Sequence, residues 1–292
     1  MAEVFASPNL FFKILLITTT AYYLATLAWY YTFRREEREK LPSIAKLFLI
    51  RNIGESVSIL TPINVVGGEY SKVLLLEKYG LDKLRSTQAT ILARVLIILS
   101  FILLGFLVVS YLLSSLSVIY MVLFVLFVFL LLLTVRSIYH KSVPSTKSSE
   151  KHGWIDKIKL KVYDFLYRCV KSIQEDRRSF LIALFLSALH WLIGSLEFLT
   201  ILHFLEIPIS YFQAVVVEFG VMVFKSAGAF VPGQIGVEEY GNKLMLQSLG
   251  VTSLKIWVSV SVIRRIRQLA WIIIGSIAAL FTLKIRLWKF SL

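Results

Sequence analysis

Five stretches of the chain stay apolar for the length of a membrane crossing: Leu10–Phe33, Gln88–Leu112, Leu116–Val135, Phe180–Phe204 and Val258–Leu283. A bilayer-spanning helix needs about 20 such residues, so each predicts one span. Two further apolar stretches, Ile44–Leu60 and Phe212–Val231, run into broken segments, LTPINVVGGEYSKV (60–73) and FVPGQIGVEEYGNK (230–243). Proline removes a backbone donor and interrupts a helix; glycine permits tight reversals. Pro62, Gly67 and Gly68 mark the first break, and Pro232, Gly233 and Gly236 the second. Beyond them lie short half-helices, Glu69–Tyr79 and Glu239–Leu249, too short to span. The pattern predicts two hairpins that enter the bilayer and return to the same side, with protein or water satisfying the broken backbone. The alternative is an ordinary external loop, which leaves each half-helix to cross with eleven residues.

The two breaks are related. Setting Pro62 on Pro232 gives an offset of 170 residues that runs on without a gap. Ser56 falls on Ser226, Glu69 on Glu239, Tyr70 on Tyr240, Gly80 on Gly250, Arg94 on Arg264 and Gly105 on Gly275. Leu74, Leu76, Leu84, Leu99 and Ile102 also meet identical residues, making twelve identities between residues 56 and 105. Such symmetry defines repeat one at about 10–139, a polar linker with an amphipathic helix at 140–178, and repeat two at about 180–290. If neither hairpin crosses, three spans separate the repeats, and an odd number turns the second upside down. The predicted fold class is an all-α polytopic membrane protein with two inverted-topology repeats, each carrying a re-entrant helical hairpin.

Charge supports the inversion independently. Residues 34–86 and 140–178 hold ten Lys/Arg each, whereas 204–256 hold only Lys225, Lys243 and Lys255 among four Glu. The positive-inside rule puts the first two segments in the cytoplasm and the third outside. The N-terminus is then outside and the C-terminus, with Lys284, Arg286 and Lys289, cytoplasmic, in a multi-pass protein of the cell membrane. The basic stretch Trp154–Ile173 fits a helix lying on the inner leaflet. Composition agrees: 57% hydrophobic residues exceed what a soluble domain needs, and topology accounts for the formal charge of +14 without nucleic acid. Cys169 is the only cysteine, and four scattered histidines give no metal spacing. His190 and His203 read as packing or interfacial residues. No nucleophile–base arrangement, P-loop or dinucleotide fingerprint is present, so no cofactor, metal or enzymatic reaction is expected. Without a nucleotide-binding domain, uphill transport draws on an ion gradient or coupled metabolism.

Ionisable groups at membrane depth are costly and become candidates for function. Glu69 and Glu239 start the second half-helices, where a carboxylate caps the helix, binds a cation or proton, or pairs with a base. Asn64 and Gln234 occupy equivalent tip positions; their amides suit a polar headgroup and suit the broken backbone equally. Glu55 and Lys225 are equivalent yet opposite in charge, and Arg51, four residues before Glu55, forms a local ion pair with it. Arg94 and Arg264 lie a turn or two inside spanning helices, where arginine grips phosphate or pairs with the acids. Trp29, Tyr30, Tyr31, Trp257, Trp271 and Trp288 read as interfacial-belt or packing residues.

These motifs carry a resemblance. Pro62–x6–Glu69 and P232-G233-Q234-I235-G236-V237-E238-E239 resemble the transmembrane region of the lysylphosphatidylglycerol synthase family, also called flippase-like membrane proteins. FKSAGAFVPGQIGVEEYG and SVIRRIRQLAWIIIG are most similar to its hopanoid-biosynthesis-associated branch. Gln234 stands where that motif usually has a small residue, which leaves the substrate open. The resemblance implies handling of membrane lipids, by flipping phospholipids or moving isoprenoid-type lipids. Lipid aminoacylation needs a soluble transferase domain, so it is not expected of these 292 residues. The reading is a lipid transporter or flippase whose headgroup path passes Asn64, Gln234, Glu55, Glu69, Glu239, Lys225, Arg94 and Arg264, with protonation of a glutamate as a means of coupling. An ion-coupled small-solute transporter and an accessory subunit of a lipid-modifying enzyme remain as alternatives. Membrane lipids are the expected partners; a second copy or a lipid-biosynthesis enzyme is left open.

Overall fold

A computed structural model describes residues 7–61, 65–112, scattered positions between 119 and 137, residue 164, and residues 167–228 and 231–289. The helices are α1 (Pro8–Tyr31), α2 (Arg35–Arg38), α3 (Ile44–Leu60), α4 (Val65–Glu77), α5 (Lys83–Leu112), α6 (Arg177–Phe204), α7 (Tyr211–Ala227), α8 (Val237–Ser248) and α9 (Leu254–Lys289), with a 3-10 turn at Pro232–Gln234. Among the described residues there is no strand. Residues 167–175 are also helical. The expected span Leu116–Val135 is described only in part, its described positions being helical, and most of the basic stretch Trp154–Ile173 lies outside the described residues.

Among the described residues four helices are long and apolar enough to cross a membrane: Pro8–Tyr31, Lys83–Ser110, Arg177–Phe204 and Leu254–Thr282. They match four of the five expected spans, but α5 and α9 begin several residues earlier than apolarity alone suggested. Arg94 and Arg264 therefore lie about 15 Å inside their helices at 1.5 Å per residue. That is about three helical turns in, further from the helix start than the turn or two read from the sequence.

Local chemistry explains the ends. Pro8 opens α1, where its missing N–H costs nothing. Asp176 caps α6: Ser179 donates to it from its backbone N (3.2 Å) and from Oγ (2.7 Å). Ser210 and Gln213 form a reciprocal capping box on α7. Within α1, the hydroxyls of Thr18, Thr19, Thr20 and Thr26 donate to carbonyls one turn back, which satisfies them in an apolar setting. Trp29 and Trp271 pack internally; their indole N–H groups donate to Thr90 Oγ1 at 3.2 Å and Thr18 Oγ1 at 3.0 Å. His190 and His203 each lie 2.9 Å from a backbone carbonyl, of Ala21 and Ile209.

The helix order repeats. α1, α3, α4 and α5 recur as α6, α7, α8 and α9 at displacements of 169, 167, 172 and 171 residues. Gly80 and Gly250, closing α4 and α8, share a φ of 81°. α1 lies along α6, α3 packs on α4, and α7 on α8, while α9 lies along α3 and α5 along α6. α1 serves both hairpins, one at each end. Leu10 and Ile14, near its start, join the core with Val217, Val221 and Leu246 of α7 and α8. Trp29, in its last turn, and Phe33, just beyond it, join the core with Leu47, Ile50 and Leu76 of α3 and α4.

One reading needs correction. Gly67 and Gly68 do not form the reversal: α4 begins at Val65, ahead of both, and neither has a positive φ. Gly68 instead lets two helix backbones meet. A Cβ there would strike Gly54 O and Ser58 Oγ, and one at Gly54 would strike the Lys72 side chain. Apolar burial drives little helix association in hydrocarbon, so such close approach at small residues counts for more. Pro62 and Asn64 lie outside the described residues. The second break matches its expectation: Gly233 and Gly236 have φ of 60° and 82°.

Candidate functional site

The candidate residues gather into two charged clusters, one per hairpin. In the first, α3 supplies Arg51 and Glu55, α4 supplies Glu69 and Lys72, and α5 supplies Arg94. Lys72 Nζ donates to Glu55 at 3.1 Å and to Glu69 at 3.2 Å. Arg94 donates to Glu69 Oε1 from Nε at 2.9 Å and from Nη2 at 2.6 Å, and stands 3.8 Å from Glu55. Arg51 Nη2 is 3.8 Å from Glu55, the expected local pair, and its guanidinium lies over the Tyr22 ring. Glu55 and Arg94 keep 28% and 27% of their side-chain surface, so this cluster reaches the exterior. Glu69 is the fifth residue of α4 and pairs with bases; it does not cap the helix.

The second cluster is closed. Arg264 donates to Glu238 at 3.1 Å and Glu218 at 2.9 Å, with Glu197 3.9 Å away, and its guanidinium covers the Phe198 ring at 4.1 Å. Arg267 pairs with Glu197 at 3.0 Å, and Lys225 donates to Glu238 at 3.1 Å. Both Arg264 and Glu238 are only 3% exposed. Burial at that level leaves little freedom: removing one partner strands a charge, at a cost of about 3–5 kcal/mol.

Gln234 and Glu239 sit at the second break. Glu239 does cap its helix, accepting from Gly236 N at 2.8 Å. Arg265 pairs with Glu239 and donates to the carbonyls of Gly233 (2.8 Å) and Gln234 (2.9 Å), while Gln234 Nε2 donates to Lys225 O at 3.1 Å. The broken backbone is thus satisfied in part by side chains. Tyr22 of α1 stands between the clusters, within electrostatic reach of Arg51 and Glu55 on one side and of Arg267 and Glu197 on the other.

Sequence reasoning missed Lys72, Glu197, Glu218 and Glu238 as cluster members; it grouped Arg265 and Arg267 with Arg264, to bind an anion or pair with acids such as Glu239, and Arg265 does pair with Glu239. Glu197 and Glu218 carried a usable signal, since each is a lone acid inside an apolar helix. Among the described residues no group of His, Cys, Asp and Glu has metal-binding geometry.

Four apolar helices around buried charge define an all-helical membrane protein. The family described as Lysylphosphatidylglycerol synthase TM region matches residues 2–276, and the chain belongs to it. Comparison with curated proteins and with solved structures gives no match.

Proposed function

We propose that this protein carries lipids between the two leaflets of the membrane along a path between its hairpins. The observation that carries the reading is the setting of Arg94. Its half-buried guanidinium shares one face of α5 with Ile91, Val95 and Ile98, and the last two are 50% and 51% exposed. Positions i, i+3, i+4 and i+7 line one helix face. A polar headgroup on the cluster can therefore keep its tails on an apolar surface, an arrangement a small solute would not use. The family's connection to a phospholipid synthase supports the same substrate class.

The repeat supports the mechanism. Hairpin arms α4 and α8, of 13 and 12 residues, reach about 20 Å at most and fall short of a bilayer core. Their separate cores at the two ends of α1 fit entry from opposite faces, and the distribution of Lys and Arg between the loops fits the same inversion. In this reading the headgroup engages the open first cluster and passes on beside Tyr22 toward the second hairpin.

Reconstitution into liposomes tests the proposal. Dithionite quenching of fluorescent phospholipid and isoprenoid-phosphate analogues should show protein-dependent translocation, lost in Glu69→Gln/Glu239→Gln. Folded wild type that moves none of them would overturn it.

A further inference from the structure

The two clusters differ in charge balance. The second sets three cations (Lys225, Arg264, Arg267) against three carboxylates (Glu197, Glu218, Glu238), so it is neutral within itself. The first sets three cations (Arg51, Lys72, Arg94) against two carboxylates (Glu55, Glu69) and carries one positive charge in excess. The excess sits on Arg51. Its side chain is 8% exposed, and Nη1 is buried with no hydrogen-bond partner among the described residues. Its one carboxylate neighbour is 3.8 Å from Nη2, beyond hydrogen-bond length. A buried guanidinium carries five donors, and leaving one unsatisfied is costly. The repeat has no counterpart: an offset of 170 places Val221 at Arg51 and Asn242 at Lys72, both wholly buried in hairpin two.

Arg51, Lys72 and Arg94 line one crevice with Glu55 and Glu69, walled by Trp29. Its free volume is about 20 Å³, enough for one water-sized group. That matches a single oxyanion oxygen and excludes a whole headgroup. α5 lines it with Thr90, Ala93, Arg94 and Ile97; Glu55 and Arg94, each more than a quarter exposed, open it to the exterior, with the exposed Val95 next along the helix from Arg94.

We infer that this crevice is a phosphate-recognition site: one anionic oxygen of a phosphate enters it and completes the hydrogen bonding of Arg51, with Lys72 and Arg94 supplying the remaining charge. The inference rests on the lipid-transport reading for the phosphate's usual source, a headgroup whose tails lie along α5. Free phosphate has the same chemistry and is separated from the lipid by the test. Among its described residues hairpin two has no such site, so recognition belongs to one repeat only.

The test is equilibrium binding to purified protein in detergent. The probes are dihexanoyl phosphatidylglycerol, dihexanoylglycerol without phosphate, and inorganic phosphate. The phospholipid should bind, the glycerol should not, and binding should weaken with salt. Arg51→Met should weaken it about tenfold or more, the worth of a charged hydrogen bond. Arg51→Lys keeps the charge without the planar fork and should fall between; it also serves if the methionine variant does not fold. Binding of inorganic phosphate as tight as the phospholipid would confirm the site and assign it to the free ion. Equal phospholipid binding by wild type and Arg51→Lys, or binding of dihexanoylglycerol as tight as the phospholipid, would overturn the inference. Failure of translocation with Arg51-dependent binding intact would instead count against the transport reading alone.

Discussion

Lys72 Nζ lies 3.1 Å from Glu55, and this contact ties the two arms of hairpin one together. In hairpin two the signs are exchanged: Lys225, at the position of Glu55, lies 3.1 Å from Glu238 of the opposite arm. An ion pair between the arms thus recurs with the signs exchanged, though its partners on the second arm, Lys72 and Glu238, are not equivalent positions. Lys72→Met should lower the melting temperature in detergent, and a cycle with Glu55→Gln should show coupling of about 1 kcal/mol or more. Additive effects would show that the pair does not hold the arms. Gly54→Ala should act like Lys72→Met, because its Cβ would strike the lysine side chain.

Arg264 and Arg94 occupy equivalent positions but should differ in consequence. Arg264→Met strands Glu218 in a closed cluster and leaves Glu238 with Lys225; it should cost about 3–5 kcal/mol, seen as loss of folded protein on size exclusion. Arg94→Met leaves Lys72 on both acids in an open cluster. That variant should fold, melting only slightly lower, and lose translocation in liposomes. The reverse order of severity would remove the distinction between a locked and a working cluster.

The second break depends on Arg265. Arg265→Ala removes donors from two carbonyls and the partner of Glu239. Proteolysis or hydrogen exchange should then show a loosened tip, with the spanning helices unaffected. Gly233→Ala should destabilise by about 1 kcal/mol or more, because a left-handed φ of 60° is strained for any residue with a Cβ.

Orientation is open to chemical mapping. In a Cys169→Ala background, Asp82→Cys between α4 and α5 should react with an impermeant maleimide only from the cytoplasm. Thr252→Cys between α8 and α9 should react only from outside. Labelling of both from one side would refute inverted repeats.

Asp176 gives a pH signature outside the membrane. Burial raises its affinity for a proton, but the Ser179 hydrogen bonds together with Arg35 and Arg38 more than offset this and hold it below the ordinary 3.8. A carboxylate lowered in the folded state contributes stability above its unfolded value, and that contribution is lost as pH falls through the lower folded value. Asp176→Ala should therefore cost about 1 kcal/mol near neutral pH. The difference should vanish in acid below the folded value, as read by thermal melts across pH.

Much of this protein was legible in its sequence. Apolar length exposed four spans because hydrocarbon admits little else. Proline and glycine located the breaks, and the repeat placed Glu69 with Glu239 and Arg94 with Arg264. Tertiary structure alone decided who pairs with whom. By the repeat, Arg264 should hold Glu239 as Arg94 holds Glu69, yet Arg265 takes Glu239 and Arg264 turns to Glu238 and Glu218. One residue along a helix is a rotation of about 100°, so a neighbouring arginine faces a different element. Glu238 and Glu218 stand where repeat one has Gly68 and Phe48, and they draw Arg264 inward. Lys72 was likewise invisible as a site residue, and Arg51 was legible only as the local partner of Glu55. Their role depends on α3, α4 and α5 converging, and a local pattern in sequence carries no record of which helices meet.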